Sequence, residues 1–176
     1  ARIARPHDRL VLAELNEDDR AELARVLAHD RRATVIGMDG YQALKAQLPP
    51  GERRGLVMID SSFDRSGEFA RMTGALADAH KRWATGVYAI WYPLMAPQAM
   101  REFERGVVAT GIRKILQMEL SVRPDDWTET LRGTGMLVVN PPFGFAQEAR
   151  EILAWLAPLL AQAGYGADRM RWLVAE

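Results

Sequence analysis

GLVMIDSSF, residues 55–63, runs four apolar side chains, Leu56 to Ile59, straight into an acid, two hydroxyls and an aromatic ring. A short apolar run of this kind marks a strand buried on both faces of a parallel sheet. In open α/β sheets, ligands bind in the crevice at the carboxyl ends of the strands. Asp60 and Phe63 fall at that end: an acid to hold a polar group and a ring to stack on a flat one. Taken alone, the stretch also fits a plainer role. Asp60, Ser61 and Ser62 are all good N-cap types for the helix that follows.

Outward from this strand, apolar runs alternate with helical patterns in both directions. Upstream, DRLVLAEL (8–15) carries Glu14 near its end. Asn16 is placed to cap a helix from Glu17 to about His29, with Asp19 in its first turn as in a loose capping box. ATVIGMDG (33–40) ends on Asp39 and Gly40, a short helix covers Tyr41 to Gln47, and Pro49-Pro50-Gly51 turns the chain. Downstream, a helix runs from about Gly67 to Trp83, followed by GVYAIWYP (86–93). Pro97, a residue favoured in a first turn, opens the next helix, which stops near Gly111. IRKILQMELSV (112–122) and GMLVVN (135–140) are two strands joined by a polar loop. Ala146, Ala149, Ile152, Leu153, Leu156 and Leu160 make one face of an amphipathic helix ending at Gly164, and MRWLV (170–174) is a last strand. Strands alternating with helices of this length mean βαβ units and a largely parallel sheet in one α/β domain over residues 1–176. Three early strand ends carry acids in order: Glu14, Asp39 and Asp60. An acid after an early strand commonly holds the ribose hydroxyls of a nucleoside cofactor. The next can accept from an adenine amino group. Each acid singly also fits a solvated loop.

Composition removes several classes. With 176 residues the chain is long enough for one real core. Lys plus Arg and Asp plus Glu both number 23, which argues against gripping nucleic acid by bulk charge while leaving local basic patches open. There is no cysteine, so disulfides and thiolate metal sites are excluded. The three histidines, His7, His29 and His80, are too dispersed for a histidine metal site, and no metal is expected. No apolar run approaches the roughly 18 residues of a membrane span. No signal peptide is visible, so a cytoplasmic protein is the expectation. The start, ARIARPHDRL, reads like a chain joined midway.

DGYQALKAQLPPGERRGLVMID (39–60), KRWATGVYAIWYP (81–93), ATGIRKILQMEL (109–120) and GMLVVNPP (135–142) resemble the J-type 23S ribosomal RNA adenine-N6 methyltransferases of bacteria. The resemblance runs over nearly the whole chain. It implies a Rossmann-like methyltransferase fold with an antiparallel last hairpin, S-adenosylmethionine as cofactor and 23S ribosomal RNA as partner. It also implies that Glu14 binds the cofactor's ribose, that Asp39 and Gly40 lie against its adenine, and that Asp60 borders it. Asp60 opens the family's catalytic tetrad, normally Asp-Pro-Pro followed by Tyr or Phe. Asp60 and Phe63 are then catalytic, and Ser61, Ser62, Phe63 and Tyr92 border the substrate base. The tetrad solves one problem: the adenine amino lone pair is delocalised into the ring. A carboxylate and a backbone carbonyl that accept its two N–H bonds pull the lone pair back onto nitrogen. The base, flipped out of its stack, rests on the aromatic ring.

Two departures stand out. Ser61 and Ser62 replace the two prolines, which loosens the turn and restores two N–H groups. The family also carries an N-terminal segment of roughly a hundred residues, about the size of a small domain. That segment holds the first strand and the glycine-rich cofactor loop, so the chain is expected to be the C-terminal part of such an enzyme, a monomer when complete. In the usual strand order the missing strand lies between those ending at Glu14 and Asp60. Asn140-Pro141-Pro142-Phe143 is a more literal match to the tetrad. It sits at the end of a strand expected to run antiparallel, facing away from the cofactor edge, where its prolines read as a helix entry. Core packing is the expected role of Trp91. Arg53, Arg54, Lys81, Arg82, Arg113 and Lys114 are candidate phosphate contacts, although solvated charge explains most of them equally. The tandem at 53–54 precedes a strand, at the edge opposite the site. A non-catalytic or degenerate module of the same fold that binds RNA is the competing reading. A dinucleotide oxidoreductase shares the fold but needs a G-x-G-x-x-G that is absent.

Overall fold

The computed structural model describes residues 1–63, 66–127 and 131–176. The chain forms two compact units, Ala1–Leu48 and Pro49–Glu176. The first contains β1 (Leu10–Ala13), α1 (Glu17–Leu27), β2 (Ala33–Ile36) and α2 (Gly40–Gln47). β1 and β2 pair in parallel, Leu10 opposite Ala33 through Ala13 opposite Ile36. Asn16 caps α1 by accepting the N–H groups of Asp18 and Asp19. That leaves fewer helix-end donors unsatisfied, and the acids at Glu17, Asp18 and Asp19 suit the positive end of the helix.

The second unit contains β3 (Leu56–Ile59), α3 (Glu68–Arg82), β4 (Val87–Pro93), α4 (Pro97–Ala109), β5 (Ile115–Ser121), β6 (Gly133–Val139), α5 (Phe145–Leu160) and β7 (Ala167–Val174). Its five strands lie in the order β3-β4-β6-β5-β7. β3 and β4 are parallel, while β6 runs antiparallel to both β4 and β5, and β7 antiparallel to β5. Among the described residues of this unit, β3 pairs with β4 alone, and its Leu56 and Met58 are exposed.

Alternation along the strands sends successive side chains to opposite faces. On one face Tyr88 donates its hydroxyl toward the carbonyls of Ala79 and Trp83 at the end of α3, and Tyr92 packs edge-on against Phe103 of α4. On the other, Leu116, Met118 and Val138 meet Ala149 of α5. Met72, Leu76, Ile90, Ile115, Leu137, Val107 and Val139 are fully buried. Each such side chain contributes about 1.5–3 kcal/mol through burial. Truncating one, as in Leu76→Ala, costs about 2–5 kcal/mol because a cavity remains. Gly135 has no side chain for a specific reason: a Cβ there would lie 2.1 Å from the Tyr92 ring.

Most element positions follow the sequence reading, with shifts at the ends. β2 stops at Ile36 because Asp39 is spent capping α2. β7 begins three residues before Met170 because its ladder with β5 extends to Ala167. The polar loop between β5 and β6 includes residues 128–130, which lie outside the described residues.

Candidate active site

In the first unit, the half-buried Glu14 directly follows β1, its N–H donating to the Ile36 carbonyl at 3.1 Å. Its Oε1 accepts the Asn16 N–H at 2.8 Å, which seats the residue that caps α1. Asp39 lies beyond the end of the neighbouring strand and caps α2, accepting from the N–H groups of Tyr41 at 2.9 Å and Gln42 at 3.2 Å. Asp39 is thus a helix cap and not a solvated loop acid. Gly40 is exposed, and a Cβ built on it meets nothing within 4 Å. Space beside its backbone is open to a flat ligand, and the two carboxylates suit hydroxyl and amino donors. These residues fit the nucleoside part of a cofactor.

In the second unit, Asp60 follows the last residue of β3, which pairs Ile59 with Ile90 of β4. Asp60 is exposed and has no hydrogen-bond or ion-pair partner among the described residues. Neither it nor the two serines cap α3: that helix starts at Glu68 behind Gly67, whose φ is 79°. The capping role for this stretch is excluded. Ser62 is exposed, and Ser61 donates its hydroxyl to Glu68 Oε1 at 2.5 Å. Phe63 adopts φ 57°, a left-handed conformation uncommon for a bulky residue. Such outliers persist where the surroundings hold them. Its ring lies 5.0 Å from Phe69 and 6.0 Å from Trp91, nearly perpendicular to the latter. An unpaired carboxylate and an aromatic ring thus share one turn, a combination able to accept from a base amine and to pack against its ring.

Tyr92 does not belong to this surface. It is 0% exposed, and its hydroxyl donates to Glu119 Oε1 while accepting from Gln117 Nε2, both at 3.0 Å. The expectation that it borders a substrate base is corrected. Tyr88 and Tyr92 are four residues apart in a strand and share the inner face. Trp91 points the other way, is only half-buried, and is the residue of β4 that meets Phe63. Its expected core role is corrected accordingly; period-two alternation is the signal that separates it from Tyr92. Glu68, Phe69, Gln117 and Glu119 carry no comparable sequence signal, although the last two are polar residues on the inward face of β5.

Asn140 stands at the other edge. β6 is antiparallel to β4, so its end lies beside the start of β4, with Tyr88 opposite Val139. The Asn140 amide donates to the carbonyls of Ala84 and Gly86, each at 2.8 Å. The candidate phosphate contacts Arg53, Arg54, Lys81, Arg82, Arg113 and Lys114 are all exposed and flank strand starts and the end of α3 on this same edge. Lys114 pairs with Glu176. A polar cavity of about 400 Å³ opens beyond the carboxyl end of β4, lined among others by Leu94, Glu104, Glu119, Arg132 and Arg169; Asp60 and Phe63 take no part in it. Among the described residues, no helix is long and apolar enough to cross a membrane.

A family model described as ribosomal RNA large subunit methyltransferase D, RlmJ, matches residues 1–174. The sequence is 40% identical over 174 residues to the ribosomal RNA large subunit methyltransferase J of Escherichia coli (strain K12), spanning 99% of this chain and 62% of that protein. It is also 40% identical over 176 residues to the protein of the same name from Haemophilus influenzae, spanning 100% of this chain and 63% of the relative. A crystal structure of a Legionella pneumophila protein, 30% identical, matches 96% of this chain and 62% of its own with a TM-score of 0.88. The chain therefore spans less than two thirds of the length of these relatives.

Proposed function

The chain belongs to the ribosomal RNA large subunit methyltransferase J family, and from that premise we propose that it serves methyl transfer from S-adenosylmethionine to the N6 amine of an adenine in 23S ribosomal RNA. Its α/β fold is methyltransferase-like, with the last hairpin antiparallel. The observation that carries the proposal is the Asp60 carboxylate at the end of β3, exposed and without a partner among the described residues, in the same turn as the Phe63 ring.

S-adenosylmethionine, when bound, supplies an electrophilic methyl group on a sulfonium. In this reading Glu14 takes the ribose hydroxyls, Asp39 and Gly40 take the adenine, and Asp60 borders the cofactor. At the substrate, Asp60 accepts one N–H of the adenine amine. A charged acceptor makes about twice as strong a hydrogen bond as a neutral one, and it drives the lone pair out of the ring onto nitrogen. Phe63 stacks on the flipped base, and Ser61 and Ser62 shape the turn beside it. Holding amine and methyl donor in line supplies most of the acceleration, since positioning alone is worth roughly 7–11 kcal/mol in favourable cases.

The test is transfer of labelled methyl to unmodified 23S RNA by the full-length protein, with the product nucleoside identified. Asp60→Ala abolishes transfer, Phe63→Ala lowers it by about tenfold or more through lost stacking, and Asn140→Ala retains it. Calorimetry on Glu14→Ala shows weakened cofactor binding. Loss of transfer in a folded Asn140→Ala protein, with Asp60→Ala still active, moves the site to the other edge. A folded wild-type protein that transfers no methyl supports the non-catalytic reading.

A further inference from the structure

Four residues, Asp60 to Phe63, carry the proposed chemistry without a proline to stiffen them, and Phe63 sits at φ 57°. Two consecutive residues of the first turn of α3 hold this turn. Glu68 is 5% exposed, a rare situation for a carboxylate unless it is paired. Its Oε1 accepts the Ser61 hydroxyl at 2.5 Å, and its Oε2 accepts Arg71 Nη1 at 3.0 Å. Its neighbour Phe69 meets the Phe63 ring at 5.0 Å and continues to Phe103 at 4.6 Å. The turn is thus tied at Ser61 by a charge-assisted hydrogen bond and at Phe63 by an aromatic contact. Both ties lead to one rigid helix. An acid in a first helical turn is also favourably placed against the helix dipole, so Glu68 is stable where it stands.

We propose that Glu68 is a positioning residue: through Ser61 it fixes the turn that carries Asp60 and Phe63, and so sets the aim of the Asp60 carboxylate. A serine leaves φ free where a proline ring would lock it. The hydrogen bond to a buried, ion-paired carboxylate supplies the restraint instead. The proposal rests on the reading of Asp60 as the acceptor of the adenine amine.

The experiment uses Ser61→Ala, Glu68→Gln, Glu68→Ala and the doubles Ser61→Ala/Glu68→Ala and Ser61→Pro/Glu68→Ala in the full-length protein. Hydrogen–deuterium exchange is read on the peptide covering residues 60–63, and methyl transfer is measured as separate kcat and KM. Losing a hydrogen bond to a charged group raises exchange in the turn, and lowers kcat, by about tenfold or more. Cofactor KM stays unchanged. Glu68→Gln keeps an acceptor oxygen and shows the smaller effect. The alanine double equals Glu68→Ala, because once Glu68 is gone Ser61 has no bond left to lose. Ser61→Pro restores slow exchange and kcat in the Glu68→Ala background. Unchanged exchange in Ser61→Ala, or additive effects in the alanine double, overturns the proposal. If the variants match wild type in kcat while Asp60→Ala is inactive, positioning falls and the reading of Asp60 stands. If Asp60→Ala transfers methyl normally, both fall. Should Glu68→Ala fail to fold, Ser61→Ala and Glu68→Gln separate the same outcomes.

Discussion

Both hydrogens of the Asn140 amide are engaged, on the carbonyls of Ala84 and Gly86, and the residue sits at φ 53°. Asparagine tolerates that left-handed conformation better than most residues. The side chain stitches the end of β6 to the entry of β4, so its worth is in stability. Asn140→Ala should lower unfolding free energy by about 2 kcal/mol, from two lost bonds of about 1 kcal/mol each. Urea melts check this, and an unshifted midpoint refutes it. Tyr92 is the parallel case at the inner face. Burial first, and then the charge of Glu119, push its hydroxyl well above the usual tyrosine range, so it remains a proton donor throughout. Tyr92→Phe should cost about 1.5–3 kcal/mol, as for a bond to a charged acceptor, and leave methyl transfer intact in protein that stays folded. A kcat that collapses without loss of stability would return Tyr92 to the base-binding surface.

At the scale of elements, α4, β5 and β7 are joined by a polar network. Gln117 Nε2 reaches Glu104 Oε1 at 3.0 Å, Arg171 Nε donates to Gln117 Oε1 at 2.8 Å, and Arg171 pairs with Glu104 at 2.6 Å. Burial works against the charge of Glu104, yet the bonds from Arg171 and Gln117 prevail and hold it below the usual carboxylate range. A carboxyl lowered on folding stabilises the fold at pH values above its unfolded value, near 4.5, and that contribution is lost as pH falls through the folded value. Arg171→Leu removes the larger of the lowering bonds and leaves the burial and the Gln117 bond, so the folded value rises. Stability at pH 7 should then be lower than in wild type, and less of it should be lost on acidification, so that the two curves converge at low pH, with melts from pH 7 down to 3 as the measurement. Superimposable acid limbs for variant and wild type would refute it. Helices such as α1 and α4 are legible in sequence because their starts carry local signals, Asn16 before α1 and Pro97 at the head of α4. Strand ends are less so. ATVIGMDG reads as one run to Gly40, but only Ala33–Ile36 finds a ladder partner.

For the whole molecule, the two units differ sharply in what they bury. Of the buried apolar side chains among the described residues, only Ala43 and Leu48 belong to residues 1–48. The rest form the core of residues 49–176. A chain of about 50 residues is marginal in the fraction of surface it can bury, and two buried apolar side chains are too few to offset its ordering entropy. Residues 49–176 expressed separately should therefore melt cooperatively with native-like near-ultraviolet circular dichroism, while residues 1–48 alone should show no cooperative transition. A non-cooperative melt of the larger piece would show that its core depends on the remainder.

Several features of this protein follow from short-range order in its sequence. Hydrophobic runs of strand length separated by helical periodicity give the α/β class. The acids at 14, 39 and 60 fall at strand ends because apolar runs stop there, and the motifs around them place the chain in its family. Other features depend on residues far apart along the chain. Tyr92 reaches Glu119 across 27 positions, and Asn140 reaches Gly86 across 54. Periodicity tells which side chains share a face of one element but not which element covers that face. Only the packed sheet decides that Trp91, not Tyr92, meets Phe63, and that the literal tetrad at 140–143 lies at the far edge. Ser61 is closer to its partner, seven residues along, but the bond forms only because α3 folds back and brings Glu68 under the turn. A hydrogen bond is decided by where two atoms come to rest, and sequence spacing beyond one element does not carry that information.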